Sequence, residues 1–162
     1  MSRKGVALAA LALPFWLDVP FVRQEKEGCG AASVAMVLRY WRQEGDAREI
    51  HRRLYSAESR GTPARALIRY LDERGFDAFA MEGAWEDLEK HLAKGRPLIA
   101  CLGNGRAGGL RHYVVVVGVS PDQVALHDPA AGQLRLLRRG DFEERWAAAG
   151  RWTLLAVPRA TP

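Results

Sequence analysis

At 162 residues and 18.0 kDa the chain has the size of one domain with room for a substantial core. Its 48% hydrophobic and 27% charged content is that of an ordinary soluble globular protein. The net charge is +5, yet the arginines are scattered among acids, as over 46–53 and 72–74, and the densest patch is only Arg135, Arg138 and Arg139. Without a basic stripe interleaved with aromatics, no nucleic-acid partner is expected. Two cysteines, Cys29 and Cys101, make no disulfide framework, and no CxxC or HxxxH spacing provides a metal site.

The chain opens with Ser2-Arg3-Lys4 and an apolar run from Gly5 to Leu13. This pattern is that of a compact signal peptide with Ala10-Leu11-Ala12 as cleavage site, or else of an apolar arm spanning residues 1–17. The run falls short of the roughly 20 residues of a membrane span. The signal-peptide reading, with export to the periplasm, is the one favoured; an arm would imply a cytoplasmic protein. The domain proper is expected over 18–162.

Asp18-Val19-Pro20-Phe21-Val22 reads as an extended lead-in to a polar loop that carries Gln24. From Cys29 the chain turns into a small-residue, apolar run, Gly30-Ala31-Ala32-Ser33-Val34-Ala35-Met36-Val37-Leu38, which predicts a largely buried helix ending near Trp41. Cys29 falls in its first turn, where unpaired N–H groups and the helix dipole favour a thiolate. Gly28 and Gly30 are expected to leave room for a substrate backbone beside the sulfur. The amide of Gln24, five positions upstream, is placed to fold back and stabilise an oxyanion. A buried, inert cysteine at a helix start fits the same stretch.

After a break at Gly45-Asp46, helices are predicted over 47–55 and 63–74. The second has Thr62 as N-cap, Pro63 at its first position and Gly75 at its end. Leu67, Ile68 and Leu71 form its apolar stripe, and Arg65 and Arg69 its solvated face. A short strand follows over 77–81 and a helix over 85–94, stopped by Gly95 and Pro97. Strands are then predicted over 97–102, 111–119, 124–128 and 134–137, a helix over 139–149, and a closing strand over 152–157. The loop 103–110, with four glycines, leads straight into His112. Helices first and strands afterwards give an α+β domain with a mainly antiparallel sheet.

A cysteine nucleophile needs a base, and the base needs an orienting group. His51 and His91 sit among charged neighbours on amphipathic helices and read as surface residues. His127 lies inside a strand. His112 stands at the mouth of the strand Tyr113-Val114-Val115-Val116-Val117-Gly118-Val119, so it is the better candidate. Asp128, in His127-Asp128-Pro129-Ala130, is either the orienting acid or simply a residue that starts a turn. It follows His112 by 16 positions. If the two strands pair around Ser120-Pro121-Asp122 across an odd loop, both side chains share one face; across an even loop they do so only with a bulge.

Taken together, Gln24 with Cys29-Gly30-Ala31-Ala32, His112-Tyr113 opening a valine strand that contains Gly118, and Asp128-Pro129-Ala130 resemble the bacteriocin-processing, double-glycine leader peptidases of the papain-like cysteine peptidase clan. The resemblance runs from about Val19 to Val157 and includes Trp146 and Trp152-Thr153-Leu154-Leu155. It implies a papain-like fold with Cys29 as nucleophile, His112 as general base and acid, Asp128 as orienting group and Gln24 in the oxyanion hole. It also implies a peptide or protein substrate, and no metal or organic cofactor. Many family members carry an acidic residue where this chain has Gly28, and many are fused to membrane transporters. The chain more closely resembles the stand-alone bacterial members. An acyl or peptidyl transferase with the same triad, and a non-catalytic peptide-binding module of the same fold, are the alternatives.

Overall fold

The structure is a computed structural model that describes residues 15–104 and 111–160. The apolar opening over 1–14 and most of the glycine loop, over 105–110, lie outside the described residues. Twelve elements follow in chain order: β1 (Phe15–Trp16), α1 (Cys29–Tyr40), α2 (Ala47–Leu54), α3 (Ala64–Glu73), β2 (Phe76–Glu82), α4 (Trp85–Ala93), β3 (Leu98–Leu102), β4 (His112–Val119), β5 (Gln123–Asp128), β6 (Gly132–Arg138), α5 (Arg139–Ala148) and β7 (Trp152–Pro158). The strands form one sheet in the order β2-β7-β3-β4-β5-β6, with β1 also paired to β4, and every pairing is antiparallel. This is the expected α+β architecture. No helix among the described residues is long and apolar enough to cross a membrane.

The core has two halves because successive strand residues face opposite ways. On one face Ile99, Cys101, Tyr113, Val115 and Val117 pack under α1, with α2 and α3 outside it. On the other, Leu98, Val114, Val116 and Leu126 pack with Trp85, Phe142 and Trp146 of α4 and α5. Lying between the sheet and two outer helices, α1 buries every residue from Gly30 to Leu38. Only small side chains at Ala31, Ala32 and Ala35 let so central a helix sit that close to its neighbours.

Three expectations are corrected. The third helix begins at Ala64 with Pro63 as its cap, and Thr62 caps nothing: its hydroxyl has no partner among the described residues. Thr62 is instead packed under the start of α1. His91 is buried, because it follows Leu88 by three positions and joins Trp85 and Leu92 on the inner stripe of α4. The glycines beside Cys29 serve internal packing rather than substrate access. A Cβ at Gly30 would lie 3.0 Å from Thr62 Cβ and 3.3 Å from Tyr113 Cδ2, and one at Gly28 would lie 3.0 Å from the Glu25 carbonyl oxygen.

Candidate active site

Cys29 is the first residue of α1, His112 the first of β4 and Asp128 the last of β5. Antiparallel pairing of β4 with β5 therefore carries His112 and Asp128 to the same end of the sheet. Whether they share a face depends on the hairpin. Val119 faces Val124 across an even loop of four residues, which alone would put the two side chains on opposite faces. A register shift between Val116 and Gly118 adds one residue to β4, after which Val115 faces His127. That bulge restores the parity, so His112 and Asp128 become diagonal neighbours on one face.

The resulting contact is short: His112 Nε2 lies 2.6 Å from Asp128 Oδ1. The same carboxylate oxygen accepts from the Ala130 N–H at 2.9 Å and the Ala131 N–H at 3.2 Å. Asp128 thus starts a turn and contacts the histidine with the same oxygen. With Nε2 taken, Nδ1 is the His112 ring nitrogen left to act on the Cys29 thiol.

Burial alone would push the Cys29 thiol up. The hydrogen bond from His112, the Tyr113 N–H, the charge of His112 and the Gly30 N–H outweigh it and hold the thiol below its usual value. Burial likewise disfavours a charged His112, but Asp128 and Cys29 raise it to about 9. Asp128, despite its own burial, is held below the ordinary carboxylate range by His112 and by the Ala130 and Ala131 N–H groups. The three shifts point the same way: each favours the charged form of its group, a thiolate, an imidazolium and a carboxylate.

Gln24 and Cys29 line a common cleft of about 680 Å³, together with Gly61, Thr62, Arg111 and His112. Gln24 Oε1 is buried without a hydrogen-bond partner among the described residues. Its backbone is fixed, since the Gln24 N–H donates to the Pro129 carbonyl at 3.0 Å, in the turn that Asp128 starts. The loop that carries the amide and the turn that carries the acid are thus tied to each other.

The other histidines stand apart. His127 Nε2 lies 2.7 Å from the Val19 carbonyl and its Nδ1 accepts from the Leu134 N–H at 3.2 Å, so both ring nitrogens are occupied. His51 is half-buried on α2, against Tyr55. Cys101 is buried in β3, opposite Tyr113, and both cysteines are free. Among the described residues no group of His, Cys, Asp and Glu is arranged to hold a metal ion. The bulge in β4 is the feature of the site that the residue pattern did not locate; Gly118, beside it, was the available signal.

A family model described as Peptidase_C39 like family matches residues 16–154. The chain is 30% identical over 127 residues to the lactococcin-G-processing and transport ATP-binding protein LagD of Lactococcus lactis, and 32% identical over 133 residues to the transport/processing ATP-binding protein ComA of Streptococcus pneumoniae. These matches cover 76% and 80% of this chain but only 17% of each relative's own length. Among solved structures, the peptidase domain of Streptococcus ComA aligns with a TM-score of 0.70 at 19% identity, covering 90% of this chain and 99% of that domain. A double-glycine motif protease from an AMS/PCAT transporter, solved in complex with the leader peptide, aligns with a TM-score of 0.69 at 22% identity over 89% of this chain and 94% of that one. With the family model matching nearly the whole described chain, and with a helix-borne cysteine, a strand-borne histidine and a turn-borne aspartate meeting at one end of its sheet, this chain belongs to the Peptidase_C39-like family.

Proposed function

We propose that the chain is a thiol peptidase that cleaves peptide bonds through Cys29, His112 and Asp128, with Gln24 in the oxyanion hole. The observation that carries this reading is the series Cys29–His112–Asp128, with 2.6 Å between the last two and a depressed thiol at a helix start. The Cys29 thiolate attacks the substrate carbonyl carbon, forming a C–S bond, and the carbonyl electron pair moves onto oxygen. The Gln24 amide and the Cys29 N–H, which has no intrahelical partner, are the donors available to that oxyanion. As the C–N bond breaks, the His112 imidazolium gives its proton to the leaving amine. His112, now neutral, takes a proton from water, whose oxygen attacks the thioester and releases the acid and the Cys29 thiolate.

The substrate class follows from the cleft, which is an open groove beside the sulfur, and from family membership. A chain of similar fold is complexed with a leader peptide. A peptide laid along the groove between Gly61 and Arg111 is the corresponding substrate here, with release of a leader ahead of a mature peptide as the specific form of the reaction. Incubation of the wild type and Cys29→Ala with a mixed peptide library, read by mass spectrometry, tests it. The expected result is cleavage by the wild type alone. Identical products from both proteins, or none from either while Cys29 alkylates at the rate of an ordinary thiol, would reject it.

A further inference from the structure

His127 is a histidine this chemistry does not use, yet it is one of the most constrained side chains near the site. It is 3% exposed and packs edge-on against Phe21, with ring centroids 5.7 Å apart. Its Nδ1 accepts from the Leu134 N–H, so the ring proton sits on Nε2 and is donated to the Val19 carbonyl. The backbone is built around this contact. The β5–β6 register shifts between Leu126 and Asp128, which sets Gln133 and Leu134 together opposite His127, and Leu134 adopts φ 51°. A positive φ is costly for a branched residue and persists only where its surroundings hold it. Here it turns the Leu134 N–H away from the ladder and onto the imidazole.

The Val19 carbonyl belongs to the segment that leads to Gln24. That segment is held along the sheet by the Leu17 N–H on the Val117 carbonyl at 2.9 Å, His127 on Val19 at 2.7 Å, the exposed Arg23 guanidinium on the Ala130 carbonyl at 3.3 Å, and the Gln24 N–H on the Pro129 carbonyl at 3.0 Å. The bond to Val19 is the one among these made by a buried side chain. Asp128, by contrast, is fixed independently by His112 and the Ala130 and Ala131 N–H groups.

We propose that His127 is a positioning residue for Gln24: by clamping Val19 to β5 and β6 it sets the loop from which the amide reaches the oxyanion, and it leaves the Cys29–His112–Asp128 series untouched. The proposal rests on the peptidase reading above. It separates two chemical events at the same sulfur. Alkylation by iodoacetamide needs the thiolate but forms no oxyanion, whereas acylation by the p-nitrophenyl ester of carbobenzoxyglycine passes through one.

His127→Leu keeps a buried apolar group but loses both bonds. It is expected to slow acylation at least roughly 10-fold, towards the roughly 10²–10³-fold of a lost oxyanion donor, while the rate and pH profile of alkylation stay within about 2-fold. His127→Gln presents an acceptor and a donor side by side and is expected to restore acylation to within about 3-fold of wild type. In a Gln24→Ala background, His127→Leu is expected to slow acylation no further. Should His127→Leu fail to fold, His127→Asn, whose shorter amide cannot span both partners, takes its place. Parallel losses of acylation and alkylation, unchanged acylation in a folded variant, or additive losses in the Gln24→Ala background would each overturn the positioning role. A wild type that alkylates but is never acylated by the ester overturns the peptidase reading, and the positioning role falls with it.

Discussion

Cys29 and Cys101 pack against the same hydrophobic cluster on the same side of the sheet, and their thiols are driven in opposite directions. Burial raises both. For Cys101, within a strand and without a cationic hydrogen-bond partner, burial prevails and the thiol is pushed up to about 11. For Cys29, at a helix start, the His112 hydrogen bond and two backbone N–H groups reverse the sign. The comparison separates reactivity from burial: what makes a thiol a nucleophile is the set of donors that its backbone position supplies.

The comparison breaks most completely at the sulfur itself. Cys29→Ala is expected to abolish peptide cleavage and iodoacetamide labelling at pH 7, read as a loss of the single adduct by mass spectrometry. Labelling that moved to Cys101 would show the two thiols to be less different than their surroundings require.

The next largest effect is at His112. His112→Ala removes the base and the cation together, and kcat is expected to fall roughly 10³-fold or more. The Cys29 titration, followed through the pH dependence of alkylation, should move up towards that of Cys101. In the wild type the thiolate–imidazolium pair exists above the lowered Cys29 value and below about 9, so kcat/KM should be bell-shaped with its alkaline limb near pH 9. The sign for stability follows from the same shift. His112 is raised from 6.5 to about 9, so its contribution is complete below pH 6.5 and is lost as pH rises through about 9. The contribution of Asp128, held below 3.8, is present above pH 3.8 and is lost as pH falls through its lowered value. Thermal melts of wild type and His112→Ala across this range check both.

Gln24→Ala leaves the thiolate in place and is expected to lower kcat roughly 10²–10³-fold with little change in melting temperature. Asp128→Asn should cost less than His112→Ala, because an amide oxygen still accepts from His112, Ala130 and Ala131. The lost negative charge lowers the His112 value, moving the alkaline limb below pH 9; a shift of one unit corresponds to about 10-fold in the charged fraction. The smallest effect is at the other cysteine: Cys101→Val, close in size and free of polar demands, should leave kcat and the Cys29 adduct within about 2-fold of wild type.

Much of the site lies in local pattern. Small residues after Cys29 mark a helix that must be buried, and so place a thiol at its positive end; the valine run after His112 marks a buried strand with the histidine at its end. Asp128 before Pro129 marks a turn. These are short-range consequences of sterics and burial, and a chain of one sequence carries them. The element boundaries lie close to expectation for the same reason.

What only the tertiary structure decided is which of these residues meet. The parity of the β4–β5 hairpin rests on one extra residue near Val117, where the Val117 carbonyl is taken up by the Leu17 N–H of the lead-in segment. A bulge of this kind is set by contacts a hundred positions apart in the chain, which no local propensity encodes. The same holds for Gly30, whose missing side chain is explained by Thr62 and Tyr113, and for His91, turned inward by the packing of α4. It holds as well for His127, whose neutral ring is fixed by a carbonyl 108 positions upstream. The sequence determined which groups had chemistry to offer; the long-range packing of strand against strand decided which of them face the sulfur.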